Sequence, residues 1–312
     1  MASSGTVAYL GPPGTFTEEA LLGQVDLAER ALVPLASIPE VLRAAQDGSA
    51  ELGFAPIENS IEGTVPATID SLVFDFDLLI RREVVLDIHL HLLAPPGTGL
   101  RDVGRVVSFP HASAQCRRYL ARVLPGAQVL AANSTADAAR QLGEERTPGT
   151  AAIATRLAAK LYGLDVLAEA VEDHPGNQTR FVLVGRSGIP APTGHDRTSI
   201  VCFQHADRPG NLHAILGQFA ARDINLTKLE SRPTKGGLGQ YCFIIDLEGH
   251  IGDEVVADCL RDLHARLSEV KLLGSYAVGG GDGLARREEA AAAWSAAGAW
   301  LDSLRGQVGQ VP

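Results

Sequence analysis

Along the chain, apolar residues come in short blocks separated by glycine, proline and small polar residues. Thr6-Val7-Ala8-Tyr9-Leu10 is one such block and predicts a strand, stopped by Gly11-Pro12-Pro13-Gly14. A helix should open next, with Thr15 or Thr17 as N-cap and Glu18 and Glu19 in its first turn. Ser37, followed by Pro39 and Glu40, starts a second helix. Leu52-Gly53-Phe54-Ala55-Pro56-Ile57 reads as another strand, with polar Glu58-Asn59-Ser60 at its end. Residues 82–93 then alternate, Val84, Leu86, Ile88 and Leu90 against Glu83, Val85, Asp87 and His89, which predicts a long β-segment crossing between two lobes.

The same grammar repeats beyond it. Val106-Val107-Ser108 leads to a helix from about Ala112, and residues 127–130 lead to Ser134, which caps a helix with Asp137 three residues on. Ala151-Ala152-Ile153-Ala154 precedes a helix from Thr155, and Val166-Leu167-Ala168 closes the series. Residues 173–181 return the chain to the first lobe and enter the apolar run Val182-Leu183-Val184. Short strands alternating with helices predict parallel βαβ units, here in two lobes with a cleft between them. The expected boundaries are about 1–84 with 172–188 for the first lobe and 85–171 for the second.

A linker over 189–197, rich in proline and glycine, separates this α/β part from a compact βαββαβ pattern over 198–278. Its first helix carries Leu212, Ile215, Leu216 and Phe219 at i, i+3, i+4 and i+7. The tail, 279–312, begins with three glycines and places Trp294, Ala297, Leu301 and Leu304 on one helical face. Gly298 in their midst weakens that helix, so a docking helix and a frayed tail both fit.

Length and charge narrow the classes. A chain of 312 residues is expected to hold about two domains. With 46% apolar and 21% charged residues it can bury sizeable cores. A net charge of −10 and the lack of any long basic run argue against a nucleic-acid surface. Cys116, Cys202, Cys242 and Cys259 lie far apart without CxxC spacing, the pattern of reduced, buried thiols rather than of metal or disulfide use. The first residues lack the features of a signal peptide, and no apolar run reaches the roughly 18 residues of a membrane helix. A cytoplasmic protein is expected.

Two places carry candidate chemistry. Asn177-Gln178-Thr179-Arg180-Phe181 is a polar stretch feeding a buried strand, where parallel-sheet proteins put their sites. The turn after the first strand joins a strand to a helix N-terminus. It is open to two readings: an anion pocket of free backbone N–H groups, or a plain βα turn. It is not a phosphate loop, because the GxxxxGK[ST] spacing is absent.

Taken together, these motifs resemble the prephenate dehydratases fused to an ACT regulatory domain, from about Thr6 to Val278. The matching stretches are Tyr9-Leu10-Gly11-Pro12 with Gly14-Thr15-Phe16-Thr17, Pro56-Ile57-Glu58-Asn59-Ser60 with Gly63, Ala114-Gln115-Cys116, Ser134-Thr135-Ala136, Asn177 to Phe181, and Glu230-Ser231-Arg232-Pro233. The resemblance implies conversion of prephenate to phenylpyruvate, water and CO2 in phenylalanine biosynthesis, without metal or cofactor. It also implies a two-lobed catalytic domain like the periplasmic binding proteins, and a ferredoxin-like ACT domain that binds phenylalanine as feedback inhibitor across a subunit interface. A homodimer or homotetramer is expected.

Carried over residue by residue, the resemblance places Thr179 at the family's catalytic threonine, as a hydrogen-bond donor to the departing hydroxyl rather than a full acid. Thr15, Asn59, Ser60, Gln115 and Asn177 are expected to hold the carboxylates and hydroxyl through neutral donors. Arg180 is also a substrate-binding candidate, but on a regular strand it turns away from Thr179 and Phe181. It then supports the cleft from behind through an ion pair. Phe181 is expected to wall the ring pocket. The effector site falls on Gly210, Asn211 and Leu212 at a helix N-terminus and on Glu230, Ser231, Arg232 and Pro233.

Two positions depart from the pattern. Phe109 stands where the family has histidine, so no acid–base role is assigned there, and His111 reads as a cap or surface residue. Asn211 stands for the family's alanine beside the effector pocket. Two other functions compete: arogenate dehydratase, which an extra acidic residue in the pocket would favour, and a non-catalytic two-lobed sensor.

Overall fold

The computed structural model describes residues 5–237, 239–278 and 284–306. The chain divides into two compact units, Met1–Phe76 with Val84–Val184, and Asp77–Glu83 with Gly185–Pro312.

The first unit has the two lobes. One sheet runs Ala31–Leu35, Thr6–Leu10, Leu52–Asn59, Gln178–Gly185, with Thr6–Leu10 parallel to both of its neighbours. Gln178–Gly185 lies antiparallel to Leu52–Asn59, with Thr179 opposite Asn59 and Arg180 opposite Glu58; the register then slips so that Phe181 faces Pro56. The strand Ala31–Leu35 has no counterpart in the sequence reading: it alternates poorly and carries Pro34, which only an edge strand tolerates. The second lobe's sheet runs Asp165–Ala168, His91–Ala94, Thr150–Ala154, Arg105–Ser108, Gln128–Ala131. Residues 82–93 do not form one strand. Leu79–Asp87 and His91–Ala94 are separate, and the bend between them is tied to the returning chain: Ile88 N–H donates to Asn177 O, and Val171 N–H to Leu90 O.

Each lobe has its own core. Val7, Tyr9, Leu21, Phe54 and Phe181 fill the first; Leu92, Val106, Cys116, Leu120 and Ile153 fill the second, and Phe16 packs against both. Thr15 caps the helix Phe16–Leu22, its hydroxyl accepting Glu18 N–H. The preceding turn serves as a seam between lobes. Thr155 Oγ1 donates to Gly14 O (2.7 Å) and Tyr162 OH to Pro13 O (2.6 Å). Gly14 has φ +88°, and a Cβ there would stand 3.2 Å from Ala158, so a side chain would be strained in both backbone and packing.

The second unit has an antiparallel sheet ordered Leu226–Pro233, Tyr241–Glu248, Asp196–Phe203, Glu269–Ala277. With the helices Asn211–Ala220 and Glu254–Arg266 it forms the βαββαβ pattern, closed over Ile200, Cys202, Ile215, Phe219, Ile245 and Leu263. Segment Asp77–Glu83 belongs to this unit: Ile80 pairs with Gly274, Glu83 with Arg197, and Asp77 with Lys271. A helix, Leu284–Arg305, continues through Gly298 and leaves Trp300, Leu301 and Leu304 exposed. The three glycines before it lie outside the described residues. All four cysteines are buried, and no described helix is long and apolar enough to cross a membrane.

Candidate active site

At the end of the Leu52–Asn59 strand the chain turns sharply, and Asn59 makes the turn. Its Oδ1 accepts the N–H groups of Ile61 (2.9 Å) and Glu62 (3.0 Å), after which Gly63, at φ +81°, pairs back onto Asn59. That fixes the amide and leaves its other end to the returning strand. Asn59 Nδ2 is shared among Asn177 Oδ1 (2.8 Å), Thr179 Oγ1 (2.9 Å) and Gln178 O (3.1 Å). Ser60 completes the join: its Oγ accepts Gln178 N–H (2.9 Å) and its N–H donates to Gln178 O.

The second lobe contributes through the helix Pro110–Gln115. Asn177 Nδ2 donates to Gln115 Oε1 (3.1 Å), and Gln115 Nε2 donates to Glu62 Oε1 (3.2 Å). Glu62 Oε2 lies 3.1 Å from His111 Nδ1, and Phe109 stacks on the His111 ring, centroids 5.3 Å apart. Asn59, Ser60, Gln115, Asn177 and Thr179 thus form one hydrogen-bonded cluster spanning the lobes. Among the described residues the carboxylate joined to this cluster is Glu62, which lies between Asn59 and Gly63 and which no sequence motif singles out.

The cluster is built of neutral amides and hydroxyls, groups that donate to carboxylates without titrating near neutrality. Thr179 is buried but borders the cluster; its oxygen accepts from Asn59, so its O–H is free to donate elsewhere. Neighbouring Cys116 is buried, and burial, then the charges of Asp173 and Glu172, push its thiol up to about 12, away from the thiolate form that attacks.

Two expectations need correction, and for Arg180 the ion-pair alternative holds. Phe181 does not wall a pocket. It is 1% exposed and stacked on Phe54 (5.4 Å), because strand alternation on Thr179's side carries it into the first lobe's core. Arg180 faces away from Thr179 and pairs with Glu58 at 2.9 Å, opposite it in the ladder, so it supports the sheet rather than the cluster. Thr15 is bonded within its own turn, donating to Leu10 O and accepting Glu18 N–H. That turn is no open anion pocket either, since Glu18's carboxylate already takes Gly14 N–H (2.5 Å) and Tyr9 OH (3.0 Å).

The crossing segments frame a second space in this unit, a cavity of about 350 Å³ lined by Glu19, Asp87, His89, His91, Arg156, Glu169 and Ala170. His91 is buried there, with Nδ1 accepting Ala170 N–H (3.3 Å).

In the second unit, Gly210 (φ +89°) is the N-cap of Asn211–Ala220, and Leu212 packs on the core. Asn211 Nδ2 donates to Gln204 Oε1 (2.6 Å) and Ala206 O (2.7 Å), holding the loop before the helix. Asn211 also lines a cavity of about 220 Å³ with Gln204, His205, Arg208 and Arg266; none of Glu230, Ser231, Arg232 or Pro233 lines it. Alternation divides those four. Glu230 and Arg232 are half-buried and paired (3.4 Å), while Ser231 and Pro233 are exposed on the other face of an edge strand. That cavity therefore does not join the two effector stretches.

Comparison with known proteins bears on both units. The prephenate dehydratase family model matches residues 7–188, and the ACT domain model residues 198–265. The prephenate dehydratase of Mycobacterium tuberculosis is 44% identical over 284 residues, covering 88% of this chain and 87% of that protein. Among solved structures, a prephenate dehydratase from Arthrobacter aurescens in complex with L-Phe superposes with a TM-score of 0.86 at 40% identity, covering 96% and 99% of the two chains. GqqA, described as a novel type of quorum quenching acylase, superposes with a TM-score of 0.80 at 30% identity, covering 88% and 98%. With both family models in series and a relative at 44% identity along most of its length, the chain belongs to the prephenate dehydratase family and carries an ACT domain after its two-lobed catalytic part.

Proposed function

We propose that this protein is a carbon–oxygen lyase that converts prephenate to phenylpyruvate, water and CO2 for phenylalanine synthesis in the cytoplasm. The observation that carries this reading is the Asn59–Thr179 hydrogen bond inside a neutral donor cluster bridging two lobes. In the reaction the ring carboxylate leaves as CO2, its bonding electron pair passes into the ring, and the C–O bond at the opposite ring carbon breaks. Aromatisation supplies the driving force. The departing oxygen leaves with its electron pair and becomes water after gaining a proton. Thr179 donates a hydrogen bond to that oxygen as charge develops on it. Such a donor contributes about 3 kcal/mol at the transition state. Asn177 and Gln115 orient the carboxylates, and Ser60 with Asn59 holds Thr179 in place.

Phenylalanine is the proposed feedback inhibitor at the ACT domain. Because the cavity lined by Asn211 includes none of Glu230–Pro233, each stretch is read as half of a site completed by the partner subunit, in a homodimer or homotetramer. The edge position of Leu226–Pro233 supports such pairing. A second reading, arogenate dehydratase, has one observation in its favour: the Glu62 carboxylate at the cluster would suit the amine of arogenate.

Incubating the purified protein with prephenate and with arogenate, each with and without phenylalanine, tests these readings. Phenylpyruvate from prephenate, suppressed by phenylalanine, is expected. Phenylalanine formed from arogenate alone would establish the second reading, and no product from either substrate would defeat both.

A further inference from the structure

Glu62 stands out as a carboxylate placed where a carboxylate is to be bound. Gln115 Nε2 and His111 Nδ1, both on the second lobe, converge on its two oxygens at 3.2 and 3.1 Å. Both are donors suited to an anionic substrate group, the histidine when protonated. The backbone that carries Glu62 is fixed: its N–H is held by Asn59 Oδ1, the same side chain whose Nδ2 reaches Thr179.

The charges around it decide what this means. Arg180, the nearest arginine in sequence to the cluster, is engaged by Glu58, and His111 is largely exposed. A dicarboxylate entering beside Glu62 meets a like charge. The substrate must either bring an ammonium group or displace Glu62 from its donors.

On the prephenate dehydratase reading, we propose that Glu62 is a stand-in for the side-chain carboxylate of the substrate, the one that phenylpyruvate keeps. It occupies the Gln115 and His111 donors until prephenate takes them, and so limits affinity for the dianion. Displacing Glu62 also frees the interlobe tie it makes, and Asn59 links that loop directly to Thr179.

Glu62→Gln tests this, because its remaining side-chain oxygen can still accept the Gln115 N–H, while the charge is removed and the second acceptor becomes an amide donor. With prephenate, KM of the variant should fall about two- to fivefold, the range of a half-exposed charge contact, and kcat/KM should rise with it. Glu62→Asp, too short to reach both donors, should shift KM in the same direction. Phenylpyruvate binding, followed by calorimetry, should tighten by a similar factor and needs no turnover. KM and phenylpyruvate affinity unchanged or weakened in Glu62→Gln would overturn the proposal and leave Glu62 as a structural tie. Weaker arogenate use in that variant, with prephenate unaffected, would make it an ammonium partner instead. Wild-type protein that turns over neither substrate defeats the functional reading itself, whereas wild-type turnover with an unimproved variant defeats only the role of Glu62.

Discussion

Asn59 Nδ2 donates to Thr179 Oγ1 across 2.9 Å, and the two residues face each other directly in the antiparallel ladder. The direction of this bond matters. A threonine hydroxyl that accepts from an amide has its proton directed elsewhere, which is the arrangement a leaving oxygen needs. Thr179→Ala should therefore lower kcat by about 10²–10³-fold with KM little changed, as loss of a transition-state contact does. Thr179→Ser should recover part of it. Steady-state kinetics of both variants on prephenate check this, and full activity in the alanine variant would remove Thr179 from the mechanism.

Asn59→Asp is nearly isosteric but exchanges the amide N–H groups for an acceptor facing Asn177 Oδ1 and Thr179 Oγ1. We expect a loss of activity comparable with that of Thr179→Ala and a stability loss of about 1–3 kcal/mol, the cost of buried polar groups left unmatched. Urea unfolding read beside kinetics separates the two effects. A variant that loses activity without stability would place Asn59 in substrate contact alone.

Much of this arrangement was legible in the chain. Blocks of apolar residues gave the alternating strands and helices, and alternation alone set Thr179 apart from Arg180. It could not say that the face shared by Thr179 and Phe181 passes from cluster to core within two residues, because that depends on where Phe54 stands across the ladder. The Gly11–Gly14 turn looked like an anion cradle, since nothing local reveals that Glu18 folds back onto Gly14 N–H. Glu62 escaped notice for a related reason: its partners lie 53 and 49 positions away, on the other lobe. The strand Ala31–Leu35 was hidden by its proline and its exposure.

Arg180 and Glu58 form a cross-strand pair with the arginine mostly buried, its side chain 11% exposed. A double-mutant cycle of Arg180→Met and Glu58→Gln, measured by unfolding, should give a coupling of about 0.5–3 kcal/mol, the range for residues in direct contact. A coupling near zero would mean that the arginine serves something other than the sheet.

His91 gives the first unit a pH dependence. Burial, then the nearby Arg156 charge, lowers its pKa, against the opposing pull of Glu169 and Glu172; exposed His89 adds to the lowering. The unfolded chain thus binds a proton at this site more readily than the folded one, so stability is complete above the ordinary histidine value and falls as pH drops below it. The thermal midpoint should decrease between pH 7.5 and 5.5. His91→Gln, which keeps an acceptor for Ala170 N–H, should lose less over that interval; an identical slope in the variant would assign the effect to other histidines.

Ser231 lies on the exposed face of an edge strand, opposite in orientation to the Glu230–Arg232 pair. Replacing it with lysine should raise the phenylalanine concentration needed for half-inhibition more than tenfold, since bulk and charge are added where the partner subunit is proposed to close the site. The ratio of inhibited to uninhibited rate, measured across phenylalanine concentrations, reports it. Unaltered inhibition would place the effector in the cavity lined by Asn211.

The strand bearing Thr179 is laid against Leu52–Asn59 only after the chain has travelled through the whole second lobe, with 120 positions between the bonded pair. Until residues 178–185 emerge from the ribosome, Leu52–Asn59 has one ladder edge unmatched, a surface open to pairing with other chains. A chain stopped near residue 172 would carry most of both lobes yet lack the strand that completes the first sheet and, with it, the proposed donor Thr179. The strand that covers this edge is therefore also the one that brings in Thr179, the proposed donor.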